Sequence, residues 1–132
     1  MVQALKIWPI ARVYTTLSTL SFLIPVVTAL QYKLYAAALV IALATALSTL
    51  YHLYDEQNYQ KIDKAGARLL ILTNFYMLGH TTSFPIFTAA MVLALLAWYY
   101  YERSIGEYHI NHSIWHLLST AITTLCIYGY IS

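Results

Sequence analysis

Leu34 to Tyr54 reads LYAAALVIALATALSTLYHLY, an apolar run long enough to cross the hydrocarbon core of a bilayer as a helix. It ends in Ser48-Thr49-Leu50-Tyr51-His52, which puts a hydroxyl and an imidazole four residues apart on one helix face. Near the other end of the chain, His112-Ser113-Ile114-Trp115-His116 repeats that spacing, and Asp63 stands between the two pairs in Lys61-Ile62-Asp63-Lys64. Three imidazoles, a carboxylate and a hydroxyl thus become available to one site. A catalytic zinc uses such a set, taking three protein ligands and leaving its fourth position to water.

The chain as a whole has the composition of a membrane protein. Apolar residues make up 61% of its 132 residues and charged residues 9%, against about 45–50% and about 25% in soluble domains. Its mean hydropathy is +0.63. Apolar runs place spans at 13–30, 34–54, 65–83, 84–101 and 112–131. This predicts one all-α domain over 1–132, an integral membrane helical bundle of about five transmembrane helices. Lipid cannot satisfy an open backbone, and a β-barrel would show shorter alternating segments. No basic run points to nucleic acid. Met1 to Arg12 is mixed and does not read as a cleaved signal, and Cys126 has no partner for an intrachain disulfide.

Within the first span Pro25 predicts a kink, because it frees the carbonyl four residues back. Thr15, Thr16, Ser18, Thr19 and Ser21 suit close helix contact there, as does the alanine-rich Ala36 to Ala46 in the second. The most charged segment is Asp55 to Lys64, read as the connection before the third span. Gly79 to Pro85 reads as a turn without formal charge. Five spans put Lys6, Arg12, Lys61, Lys64, Arg68 and Arg103 on one side and only Lys33 on the other. The positive-inside rule then predicts a cytoplasmic amino terminus and a carboxyl terminus across the membrane. His52, Asp63 and His112 all fall at the cytoplasmic face on the same reckoning.

A lone helical histidine is more often a packed or hydrogen-bonded residue than a ligand. Inside a membrane the weighting changes, because ionisable groups there are costly, and here three histidines, an acid and a serine meet at one depth. Duller readings stand beside this one: Asp63 as a solvated charge between two lysines, and Ser48 bonded to the carbonyl four residues back. His80 is expected on the opposite face. His109, expected in the connection before the last span, competes with His112, and His112 with His116 is the preferred pair. Glu107 and Asp55 could orient a ligand imidazole, and Asn74 is expected to bond across helices.

At these residues the sequence resembles the CREST superfamily of membrane proteins, which groups alkaline ceramidases, progestin and adipoQ receptors, haemolysin III proteins, GPI-remodelling phospholipases and a myomaker-like branch. The shared pattern is Ser-x-x-x-His, an aspartate, then His-x-x-x-His, met here in order by Ser48, His52, Asp63, His112 and His116. The local strings are most similar to the myomaker-like branch. Members usually have seven spans against the five read here. The resemblance implies a zinc held by His52, His112 and His116, with Asp63 near the water and Ser48 beside it.

The function expected on these grounds is a zinc-dependent hydrolase acting on an amide or ester bond of a membrane lipid. Asp63 would move the water proton and Ser48 would donate to the developing oxyanion. A second expectation, from another class, is a non-catalytic receptor-like or membrane-remodelling protein with a structural zinc. A third is a small haem protein with two of the histidines as axial ligands. Because five helices are few to bury such a site, a homo-oligomer is also expected.

Overall fold

The computed structural model describes residues 10–54, 57–103 and 108–132. These form six helical segments and, among the described residues, no strand: α1 (Ile10–Leu20), α2 (Leu23–Gln31), α3 (Tyr35–Tyr54), α4 (Gln57–Gly79), α5 (Phe84–Arg103) and α6 (Tyr108–Ile131). Segments α1 and α2 make one broken span, so five helices build the bundle. The break at Ser21 and Phe22 lies just upstream of Pro25. With no N–H at Pro25, the Ser21 carbonyl accepts instead from Ile24 N–H at 3.0 Å, and tight bonds from Ser21 N–H to Ser18 and from Phe22 N–H to Thr19 close the turn before it.

Among the described residues, four spans are long and apolar enough to cross a membrane: Arg12–Gln31, Tyr35–Tyr54, Phe84–Arg103 and His109–Ile131. The fifth helix, α4, differs from the expectation at both ends. It begins at Gln57 rather than at 65, so Asp63 lies inside a helix and not in a connection. Hydropathy marks the part of a helix that suits lipid, whereas helix formation asks only for competent residues, and 57–64 contains neither Pro nor Gly. The helix also stops at Gly79 instead of continuing to 83. Its last turn closes with His80 N–H to Met77 and Thr81 N–H to Leu78, and the Thr81 hydroxyl then accepts from Ser83 N–H at 3.3 Å. The apolar part of α4, 65–79, is therefore only roughly 22 Å long at 1.5 Å per residue. The last helix likewise starts before 112, which makes His109 helical and corrects its placement in a connection.

Between α2 and α3 the chain reverses in three residues. Lys33 adopts φ 60°, Leu34 N–H reaches back to Ala29 at 2.8 Å and Lys33 N–H to Leu30 at 3.0 Å, the paired bonds that end a helix through a left-handed residue.

Helix α6 is the hub, packed against α1, α2, α4 and α5, while α3 closes the other side against α1, α2 and α4. Exposure runs opposite to that of a soluble bundle. Leu39 is 68% and Leu95 70% exposed, whereas eleven polar or charged side chains among the described residues, Thr15, Thr19, Thr123 and His116 included, are buried. Apolar side chains turned outward with polar ones inward match a lipid surround. Most of the buried hydroxyls bond to carbonyls three or four residues back in their own helix, as Thr45 does to Ile41 at 2.7 Å, so they need no water.

Candidate metal centre

The end of the bundle where α3 finishes and α4 and α6 begin gathers the polar set. His52 sits in the last turn of α3 and Ser48 one turn earlier, while His112 and His116 lie one turn apart on α6. The three imidazoles are buried, with His116 only 1% exposed. Ring centroids are 5.1 Å apart from His52 to His112, 5.1 Å from His52 to His116 and 4.5 Å from His112 to His116. One ring nitrogen of each lies within 4.8 Å of the other two.

The orientation of His116 tests whether such a cluster suits a metal. Its Nδ1 lies 2.9 Å from Ser18 Oγ and 3.2 Å from Thr19 Oγ1, both on α1. Its Nε2 is buried and has no hydrogen-bond partner among the described residues. A buried polar atom left unbonded is costly in an apolar medium. A metal ion shared with two neighbouring imidazoles would satisfy it, so the three histidines fit a metal ion. A zinc ion takes imidazole nitrogen among its preferred ligands, and three such ligands would leave a fourth position open.

Asp63 and Ser48 flank the histidines. The Ser48 hydroxyl bonds to the Asp63 carboxylate. Burial pushes the Asp63 carboxyl up to about 6, against the opposing pull of that bond and of the Lys64 charge. The Ser48 hydroxyl is thus engaged by Asp63. Donation to an oxyanion would require the hydroxyl to rotate. A cavity of about 30 Å³ touches Ser48, Asp63, His116, Phe22 and Trp115. About 10–15 Å³ holds one water, so the cavity is water-sized and has the polar partners a water requires.

The remaining sequence candidates are placed as follows. His80 lies away from the cluster, its Nδ1 2.8 Å from the Tyr76 carbonyl and its ring against Tyr76 and Tyr130. His109 is on α6 but outside the three-nitrogen group, so His112 and His116 form the pair. Asn74 Nδ2–H donates across helices to Thr123 Oγ1 at 3.0 Å. Asp55 and Glu107 lie outside the described residues.

Sequence reasoning missed the contribution of α1. Thr15, Ser18 and Thr19 read as a small-residue packing face, and nothing in their spacing announces that two of them meet a histidine almost a hundred positions later. Trp115 was also missed as a wall, its ring centroid 5.2 Å from those of both His112 and His116. No family model, curated protein or solved structure matches this chain.

Proposed function

We propose that this chain is a membrane-embedded hydrolase that uses zinc at His52, His112 and His116 to cleave an amide or ester bond of a membrane lipid. The observation that carries the reading is the unbonded, buried Nε2 of His116 among two further imidazoles, next to a water-sized cavity that also touches Asp63 and Ser48. A zinc ion bound there supplies a Lewis acid and acidifies water toward about 7. Asp63, held by the Ser48 hydroxyl and half-buried, accepts a proton from water in the cavity and returns it to the leaving group. Its pKa of about 6 suits that exchange near neutral pH. Phe22 and Trp115 wall part of the cavity. The resemblance to the CREST superfamily rests on the same five residues and supports the same chemistry.

The excess of Lys and Arg at the polar end places the site and the amino terminus on the cytoplasmic side in this reading. A single chain buries all three imidazoles, so the site needs no second copy.

One observation favours the non-catalytic alternative: a cavity of about 30 Å³ admits water but no acyl chain. In that case zinc would tie together the ends of α3 and α6, and Asp63 would act only structurally. A haem is favoured less, because a porphyrin needs a slot far larger than this cavity. The deciding experiment is elemental analysis of purified protein together with fatty-acid release from a panel of ceramides and phospholipids. About one zinc per chain with release from at least one lipid supports the hydrolase. Zinc without release from any lipid supports the structural reading, and absence of zinc removes both.

A further inference from the structure

Helix α1 lies outside every motif discussed above, yet it meets the cluster at its most buried member. Ser18 Oγ–H donates to the Thr15 carbonyl at 2.8 Å, and Thr19 Oγ1–H donates to the same carbonyl at 2.9 Å. Each hydroxyl proton thus has a carbonyl acceptor within its own helix. Each oxygen nevertheless lies within hydrogen-bond distance of His116 Nδ1, at 2.9 and 3.2 Å. The Thr15 carbonyl is a third partner of the same ring. A carbonyl only accepts, and the two hydroxyl oxygens have only lone pairs left to offer.

With both hydroxyl protons on the Thr15 carbonyl, a lone pair at Nδ1 would face only acceptors. If Nδ1 carries the proton, every one of these contacts is attractive. We infer that Thr15, Ser18 and Thr19 fix His116 as the Nδ1–H tautomer, so that Nε2 is presented bare and correctly aimed at the metal position. The inference rests on the metal reading for its purpose, though the tautomer itself does not. Ser18 and Thr19 are positioning residues: they touch neither substrate nor metal and act through the imidazole. Groups that hold the far nitrogen of a ligand histidine set both its tautomer and its direction. The Phe22 ring, edge-on to His116 at 6.3 Å, restricts the imidazole further.

The same seam provides its own control. One turn along α6 from His116, Thr120 Oγ1 lies 2.6 Å from Ser21 Oγ, a second link from this span to α6, at the break just after α1, that does not involve the imidazole. Loss of that link tests whether simple loosening of the seam explains any effect.

The experiment uses full-length protein in lipid nanodiscs with ¹⁵N-labelled histidine. Tautomers are read in the metal-free state from the ring nitrogens, and His116 is assigned by the signals lost in His116→Gln. Zinc affinity is measured separately by chelator competition. The wild type should show protonated Nδ1 and bare Nε2 at His116. Ser18→Ala combined with Thr19→Val should give mixed or reversed tautomers and weaken zinc binding by about 10–100-fold. Ser21→Ala should leave both readouts unchanged, and Ser18→Thr, which keeps the oxygen, should behave as wild type. Protonated Nε2 in the wild type, or an unchanged tautomer in the double variant, overturns the inference. Equal zinc loss in Ser21→Ala and the double variant also overturns it, by reducing α1 to a packing role. An Nδ1–H wild type that takes up no zinc upholds the tautomer assignment and removes the metal reading.

Discussion

At the scale of the residue, the proposed function divides the five candidate side chains into ligands and proton handlers, and each group has its own signature. If zinc is bound as proposed, replacement of His52, His112 or His116 by Ala should abolish its binding, whereas His80→Ala and His109→Ala should retain it, since neither ring belongs to the three-nitrogen cluster. Elemental analysis of the purified variants checks this, and equal loss from His109→Ala and His112→Ala would show that the wrong pair was chosen. Asp63→Asn keeps the shape of the carboxylate and removes the base. It should retain zinc while losing about 10²–10⁴-fold in turnover, measured as fatty-acid release. Undiminished release would sink the proposed mechanism. In chelator-treated protein Asp63 also predicts a pH dependence of stability. Its carboxyl, raised from 3.8 to about 6, holds its proton more tightly in the folded than in the unfolded state. Stability should therefore be greatest below about 4 and fall as pH rises through about 6. Thermal unfolding of wild type against Asp63→Asn isolates that slope, which the variant should lack.

At the scale of the element, close approach at glycine controls how α6 meets its neighbours. A Cβ at Gly129 would lie 2.8 Å from Thr81 Oγ1 and 3.1 Å from Ile86 Cγ2, so that α6 and the α4–α5 turn could not keep their present spacing. Gly129→Ala should cost about 1–3 kcal/mol, the usual range for overpacking. Gly66→Ala should cost clearly less, because its tightest neighbour is the movable end of Leu47 at 3.3 Å. Parallel thermal melts of the two variants test the ordering, and a larger loss for Gly66→Ala would contradict the packing described for α6. Neither glycine touches the three imidazoles.

At the scale of the whole molecule, charge placement predicts an orientation. Six of the seven Lys and Arg residues fall on the side assigned to the cytoplasm, Lys33 alone on the other. Reporter fusions after Ser132 should accordingly be active only when the reporter works outside the cytoplasm. Strong signal from a cytoplasm-only reporter at that point would overturn the orientation or the five-helix path. The count depends on α4 crossing, and α4 is the helix whose apolar part is shortest and whose first half carries Lys61, Asp63, Lys64 and Arg68. The same helix that makes the topology hardest to read brings the carboxylate to the cluster.

The sequence by itself determined the all-α membrane class, because runs of apolar residues about 20 long leave the backbone no alternative to the helix. It also determined which residues could share a face, since the four-residue spacings of Ser48 with His52 and His112 with His116 are local consequences of helical geometry. Element ends were less legible. The charged segment from 57 is helical in fact, because hydropathy reports solvent preference and not backbone conformation. The choice of His112 over His109 was decided by the tertiary structure, since both lie on α6 and only the assembly of the bundle sets which ring reaches His52 at the end of α3. The role of α1 was decided there as well. Ser18 and Thr19 stand 98 and 97 positions from His116, and no local rule couples residues so far apart. Their hydroxyls bond their own helix, as in any membrane span, and only the meeting of α1 with α6 turns the same oxygens toward an imidazole.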